Sequence, residues 1–144
     1  MPPTTASRSR VPVLAVALVA AALTLTGCTG AAIKPVQEYS GEPKGVDAPA
    51  SSAGGAAWAV WMQNGGQIAI VLYGSSTCPP KVASITAASS TRVTAMLAPA
   101  PGGVCARDYV PHTTIFPTPS TVKTSKDVSV VLPDATLTLP ALPG

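Results

Sequence analysis

Residues 58–73 read Trp58-Ala59-Val60-Trp61-Met62-Gln63-Asn64-Gly65-Gly66-Gln67-Ile68-Ala69-Ile70-Val71-Leu72-Tyr73. Two apolar runs flank a Gln-Asn-Gly-Gly turn, and Asn-Gly tolerates the positive φ that a tight hairpin turn needs. In the first run Trp58, Val60 and Met62 alternate with Ala59 and Trp61. In the second, Ile68, Ile70 and Leu72 share one face, and the opposite face (Ala69, Val71, Tyr73) is apolar as well. A strand apolar on both faces is expected at the centre of a sheet with cover on each side. The stretch is therefore a β-hairpin whose second strand is central. At strand spacing Trp58 and Trp61 face opposite sides, so the expectation is one Trp in the core and one partly exposed, which argues against a flat two-Trp ligand platform.

The same period continues downstream. A second hairpin is expected from Lys81–Ala87 and Thr91–Ala98, turning at 88–90. Val93, Ala95 and Leu97 there alternate with Arg92, Thr94 and Met96 to give one wet face. Further strands are expected at His112–Phe116, Asp127–Leu132 and Ala135–Leu139. The Pro-rich end of the first, from Thr113 to Pro119, suits an edge. No stretch of ten or more residues after Cys28 carries a helical stripe. Short strands at regular spacing with Pro/Gly turns predict an all-β domain over 56–144, a small sandwich or immunoglobulin-like domain. The Cys–Trp–Cys order of true immunoglobulin domains is absent, since both Trp precede Cys78 and Cys105. Only the architecture is inferred.

Upstream the composition changes twice. Residues 1–27 contain Arg8 and Arg10, no acid, and an apolar run from Val11 to Leu25. That run is about 15 residues, short of the roughly 20 a bilayer span requires, and reads as an export signal. It ends in Leu25-Thr26-Gly27-Cys28, small residues before a cysteine whose thiol can be acylated. This quartet resembles a bacterial lipobox. The resemblance implies diacylglyceryl attachment at Cys28, cleavage before it, and a membrane partner held through that lipid. Two acyl chains anchor a protein far better than one. Residues 28–55 then interleave Pro35, Pro43 and Pro49 with Gly and scattered charges, without period. They read as a disordered tether with an r.m.s. span of about 30 Å. A recognition peptide centred on Val36–Tyr39 is the functional alternative there.

Charge follows the same division. The chain carries a net +3. Without Arg8 and Arg10, seven basic residues face six acidic ones, which leaves no electrostatic footprint for nucleic acid.

The odd number of cysteines, 3 in all, resolves once Cys28 is assigned to lipid. Cys78 and Cys105 remain as an even pair in an oxidising compartment, and a domain this small gains from a covalent staple. A single Cys78–Cys105 disulfide is expected, worth about 3–4 kcal/mol in the chain-entropy account.

Candidate chemistry is sparse. Gly74-Ser75-Ser76-Thr77-Cys78-Pro79-Pro80 offers hydroxyls and backbone donors to an anion or a peptide carbonyl, held stiff by the two prolines, or it simply connects two hairpins. A binding loop there would comprise Ser75, Ser76, Thr77 and Pro79, with Arg107, Asp108 and His112 from the second cysteine's segment. His112, Asp108 and Ser75 or Ser76 can be written as a hydrolytic triad, but no Gly-x-Ser-x-Gly elbow exists, and Asp108 beside Arg107 more readily forms a surface ion pair. One His and isolated carboxylates provide no zinc set, and one His is too few for blue copper. No metal or cofactor is expected.

Taken together, the lipobox, the Gly74–Pro80 segment and the later Cys105-Ala106-Arg107-Asp108-Tyr109-Val110-Pro111 segment resemble small uncharacterised lipoproteins of actinobacteria, in which G-S-S-x-C-P-x and C-x-x-D-x-x-P recur. The resemblance implies secretion and surface anchoring and no reaction. The expectation is a lipid-anchored, non-enzymatic envelope module on the extracytoplasmic face of the cell membrane. It would bind an envelope protein or ligand through the loops near Cys78 and Cys105. A small hydrolase or a small-ligand carrier is the alternative.

Overall fold

The computed structural model describes Met1, Pro3 and residues 30–144; the expected export signal, the lipobox-like quartet and Cys28 lie outside the described residues. Eight strands are present: β1 (Gln37–Ser40), β2 (Trp58–Met62), β3 (Gln67–Gly74), β4 (Val82–Ser89), β5 (Arg92–Leu97), β6 (Val110–Pro117), β7 (Val128–Val131) and β8 (Thr136–Leu139). Two single 3₁₀ turns, at Ala50–Ser52 and Gln63–Gly65, are the only helical pieces among the described residues. No described helix is long and apolar enough to cross a membrane.

The strands form a sandwich of two four-stranded sheets, ordered β1-β6-β3-β2 and β4-β5-β7-β8. Every pairing is antiparallel except β5 with β7, which is parallel. That exception follows from the path: the chain leaves β5, builds β6 in the other sheet, and returns. The hairpin at 58–73 forms as its pattern requires. Asn64 turns it at φ 53 and Gly65 at φ 87. β3 is central, and Ile68, Ala69, Ile70 and Val71 are fully buried. Ile68, Ile70, Leu72 and Phe116 from one sheet pack against Ile85, Val93, Val130 and Leu139 from the other. β5 has its expected wet face, with Val93 and Ala95 buried and Met96 exposed. Cys78 and Cys105 are bonded, their Cα atoms 5.5 Å apart.

Residues 30–55 differ from the expected tether. Ile33 forms a two-way backbone bridge with Ile85 of β4. Residues 37–40 then add β1 to the outer edge of β6. This places β6 inside the sheet rather than at its edge. The recruitment has a plain cause: β6 without β1 leaves a row of unpaired backbone groups beside a buried core. A short edge strand exposed on one face needs little apolar periodicity, so its sequence looks like linker.

From β1 the chain must reach β2 at the far edge of the same sheet, and residues 41–57 cross its outer face to do so. Thr113 Oγ1 donates to the Gly41 carbonyl at 2.6 Å, Tyr73 donates its hydroxyl to Glu42, and Tyr109 donates to the Gly55 carbonyl at 3.0 Å. This strap corrects the reading of the two tryptophans. They do face opposite sides, with Trp61 in the inter-sheet core and Trp58 paired opposite Val71 on the outer face. Both are nonetheless buried, at 7% and 2% exposure, because the strap covers the outer face. All described core residues and both disulfide cysteines lie within 33–142, so the 30–144 segment carries the described core and its staple whole.

Candidate functional site

At one end of the sandwich two connections pass between the sheets, 75–81 from β3 to β4 and 98–109 from β5 to β6. The disulfide joins them. Polar groups join them again: the Ser76 amide donates to Asp108 Oδ1 at 2.8 Å, and the Ala106 amide donates to Thr77 Oγ1 at 2.8 Å. Ser75 Oγ accepts from the Thr77 amide at 3.3 Å and lies 3.3 Å from Thr77 Oγ1. Hydrogen bonding from Ser76 holds the Asp108 carboxyl below the ordinary carboxylate range. The hydroxyls and donors read as a binding loop are thus engaged with one another, and they brace the two connections. Arg107 is exposed and does not pair with Asp108. The ion pair found among the described residues is Lys81–Glu38, 3.1 Å, bridging the two sheets near β1.

His112 stands apart from this network. It lies on β6 opposite Leu72, and at that register it faces inward between the sheets. Its side chain is 5% exposed, with neither ring nitrogen hydrogen-bonded. Burial pushes its pKa below the usual range; Lys81 lowers it further, and Glu38 opposes. The structure therefore brings Asp108 and Ser76 together and leaves His112 unconnected to either. No hydrogen-bonded Ser–His–Asp relay runs through them. Among the described residues no three His, Cys, Asp or Glu side chains converge as a metal-ligand set.

The concave surface lies beside these loops. A groove of about 600 Å³ separates the open edges of β2 and β8, between Trp58–Val60 on one side and Ala135–Thr138 on the other. The two strands run side by side without pairing, tied where Trp61 Nε1 donates to the Pro140 carbonyl at 2.7 Å. At Ala57 and Ala135 the groove meets a cleft of about 190 Å³ walled by Tyr73, Tyr109 and Leu132. At Pro80 and Leu97 that cleft meets a third hollow of about 190 Å³ between the prolines at 79–80 and 99–101. The three hollows adjoin through these shared residues as a furrow along the end of the sandwich.

The tyrosine rings are stacked, centroids 5.7 Å apart. Gly55 makes this stack possible: its φ is +83°, and a Cβ there would meet Tyr109 at 2.4 Å. Burial and the Glu42 contact raise the Tyr73 pKa, so this hydroxyl stays protonated and donating at neutral pH. The charged side chains of the groove and the tyrosine cleft are Asp47 and Asp134. Tyr109, 63% exposed, stands beside the furrow, and the disulfide-bounded connection also carries Val104, 99% exposed.

Of the residues singled out from sequence, Cys78 and Pro79 line this furrow. Gly55, Ala57, Tyr73, Tyr109 and Ala135 were not anticipated. The alanines carry no chemical signal, and the tyrosines are brought together only by the fold.

No protein-family model matches this chain, and neither a curated protein nor a solved structure does. The class defined by fold and site is a disulfide-braced, eight-stranded β-sandwich with an apolar furrow at one end.

Proposed function

We propose that this chain is a lipid-anchored cell-envelope module that binds an extended, mainly apolar peptide segment carrying a basic residue, and does not transform it. The observation that carries the reading is the furrow of adjoining hollows from the disulfide loops to the open edges of β2 and β8. Edge strands offer unpaired backbone groups to an extended partner, and alternate side chains of that partner then find pockets. Stacked tyrosines supply rigid contact area at little entropic cost. Asp47 and Asp134 favour a cation on the ligand. A binding reading also suits the loop hydroxyls, which are engaged in bracing. Anchoring is supported by Arg8, Arg10, the short apolar run and Leu25-Thr26-Gly27-Cys28.

The test of binding is titration of the isotope-labelled 30–144 segment with a capped Ala-Val-Pro-Lys-Val peptide. Amide shifts should concentrate at Ala57, Tyr73, Tyr109 and Ala135, and Ala135→Arg should abolish them. Shifts spread over the surface, or none at millimolar peptide, would refute the furrow as the site. The anchor is read separately, from the mass of the N-terminal peptide of membrane-extracted protein: acylated Cys28 is expected, and an unmodified or uncleaved terminus argues against it.

A further inference from the structure

We infer that the end of the sandwich opposite the furrow is a membrane-contacting face for anionic lipid headgroups. The inference rests on the Cys28 anchor proposed above for its biological setting, but its physical basis is separate.

Tracing backward from Ile33, which is paired with Ile85, the chain runs along β4 toward the β4–β5 turn, and Gly30 lies against Ala87. Cys28 lies two positions before Gly30, with only Thr29 between them. Two residues of chain reach at most about 7 Å. The Debye length at physiological salt is about 8 Å. An acyl group on Cys28 therefore holds this end of the domain within the range of the headgroup field. The expected tether of 28–55 permits no such statement; the pairing of residues 33–40 with the sheets makes it possible.

This end is also where basic side chains gather. Arg92 opens β5 directly after the turn, paired with Ser89. The Lys123 amide donates to the Ser90 carbonyl at 2.8 Å, and the Lys126 amide to the Lys123 carbonyl at 3.3 Å, which folds the 123–126 loop onto the same turn. Arg92, Lys123 and Lys126 are exposed, and none makes a salt bridge among the described residues. Asp127, the nearby acid, accepts the Ala141 amide at 2.8 Å. Asp108 and Asp134 lie at the other end, beside the furrow. The turn end thus presents three exposed bases with Asp127 as the acid beside them, whereas the furrow end mixes both signs, Asp108 and Asp134 with Lys81 and Arg107. With the basic end on the bilayer, the furrow points away from it.

Each Lys or Arg near an anionic surface strengthens binding roughly five-fold. The test uses the 30–144 segment, which carries no acyl group, so its outcome does not depend on lipidation. Co-sedimentation with phosphatidylcholine vesicles is compared with and without phosphatidylglycerol, in low and in high salt. We expect at least about ten-fold stronger binding to the anionic vesicles in low salt, abolished by high salt. The triple variant Arg92→Gln, Lys123→Gln, Lys126→Gln should lose it. The pair Arg107→Glu, Ala100→Glu, which removes the same net charge from the other end, should retain most of it. Equal binding to both vesicle types overturns the proposal, as does equal loss in the two variants.

Discussion

His112 has an unusual setting for a lone histidine: it is enclosed between the sheets with both ring nitrogens unpartnered. A buried polar ring without hydrogen bonds is tolerated only while it is neutral. Burial lowers its folded-state pKa below the ordinary 6.5, Lys81 contributes in the same direction, and Glu38 works against both. The sign follows. Below pH 6.5 the unfolded chain takes up a proton that the folded chain refuses, so unfolding gains free energy as pH falls. Stability is complete above about pH 6.5 and declines as pH drops toward the folded value. The expected result is a melting temperature that falls between neutral and mildly acidic buffer, and a much smaller fall in His112→Leu. Identical pH dependence in wild type and variant would mean that other groups carry it.

Among the elements, β1 is the informative one. Val36–Tyr39 in a Pro/Gly-rich setting reads as an incidental apolar cluster in linker, yet it completes a sheet. Its strand character comes from its partner: four residues gain a ladder only because β6 presents an edge. The 41–57 strap is similar, held by Thr113, Tyr73 and Tyr109, three residues distant in sequence. Limited proteolysis of the full chain should therefore leave a resistant fragment that begins near Gly30. A fragment beginning near Ala56 would mean that β1 and the strap are detachable. The hairpin at 58–73 and that at 82–97 were legible without any partner. Their alternation and turns are local, and local signals are what a sequence displays.

For the whole molecule, the disulfide joins the two connections that hold the sheets together at the furrow end. It closes a loop with a sequence separation of 27, for which chain entropy assigns about 3–4 kcal/mol. In a small domain that is a large part of the total stability, typically about 5–15 kcal/mol. Replacing both cysteines by serine should lower the urea midpoint accordingly. A loss under about 1 kcal/mol would show that the Ser76–Asp108 and Thr77–Ala106 bonds brace the loops unaided.

By itself the sequence determined the class of fold, the central place of β3, both hairpins and the cysteine pairing. Period-two alternation, turn chemistry and cysteine parity are properties of neighbouring residues or of simple counts. Only the tertiary structure decided where residues 30–57 belong, that Trp58 is covered, that His112 faces inward away from Asp108, and that small alanines and two tyrosines line a furrow. Each of these depends on which surfaces meet across the sandwich. Such meetings are set by the packing of the whole chain against an edge or a face, and leave no periodic trace in the residues that take part.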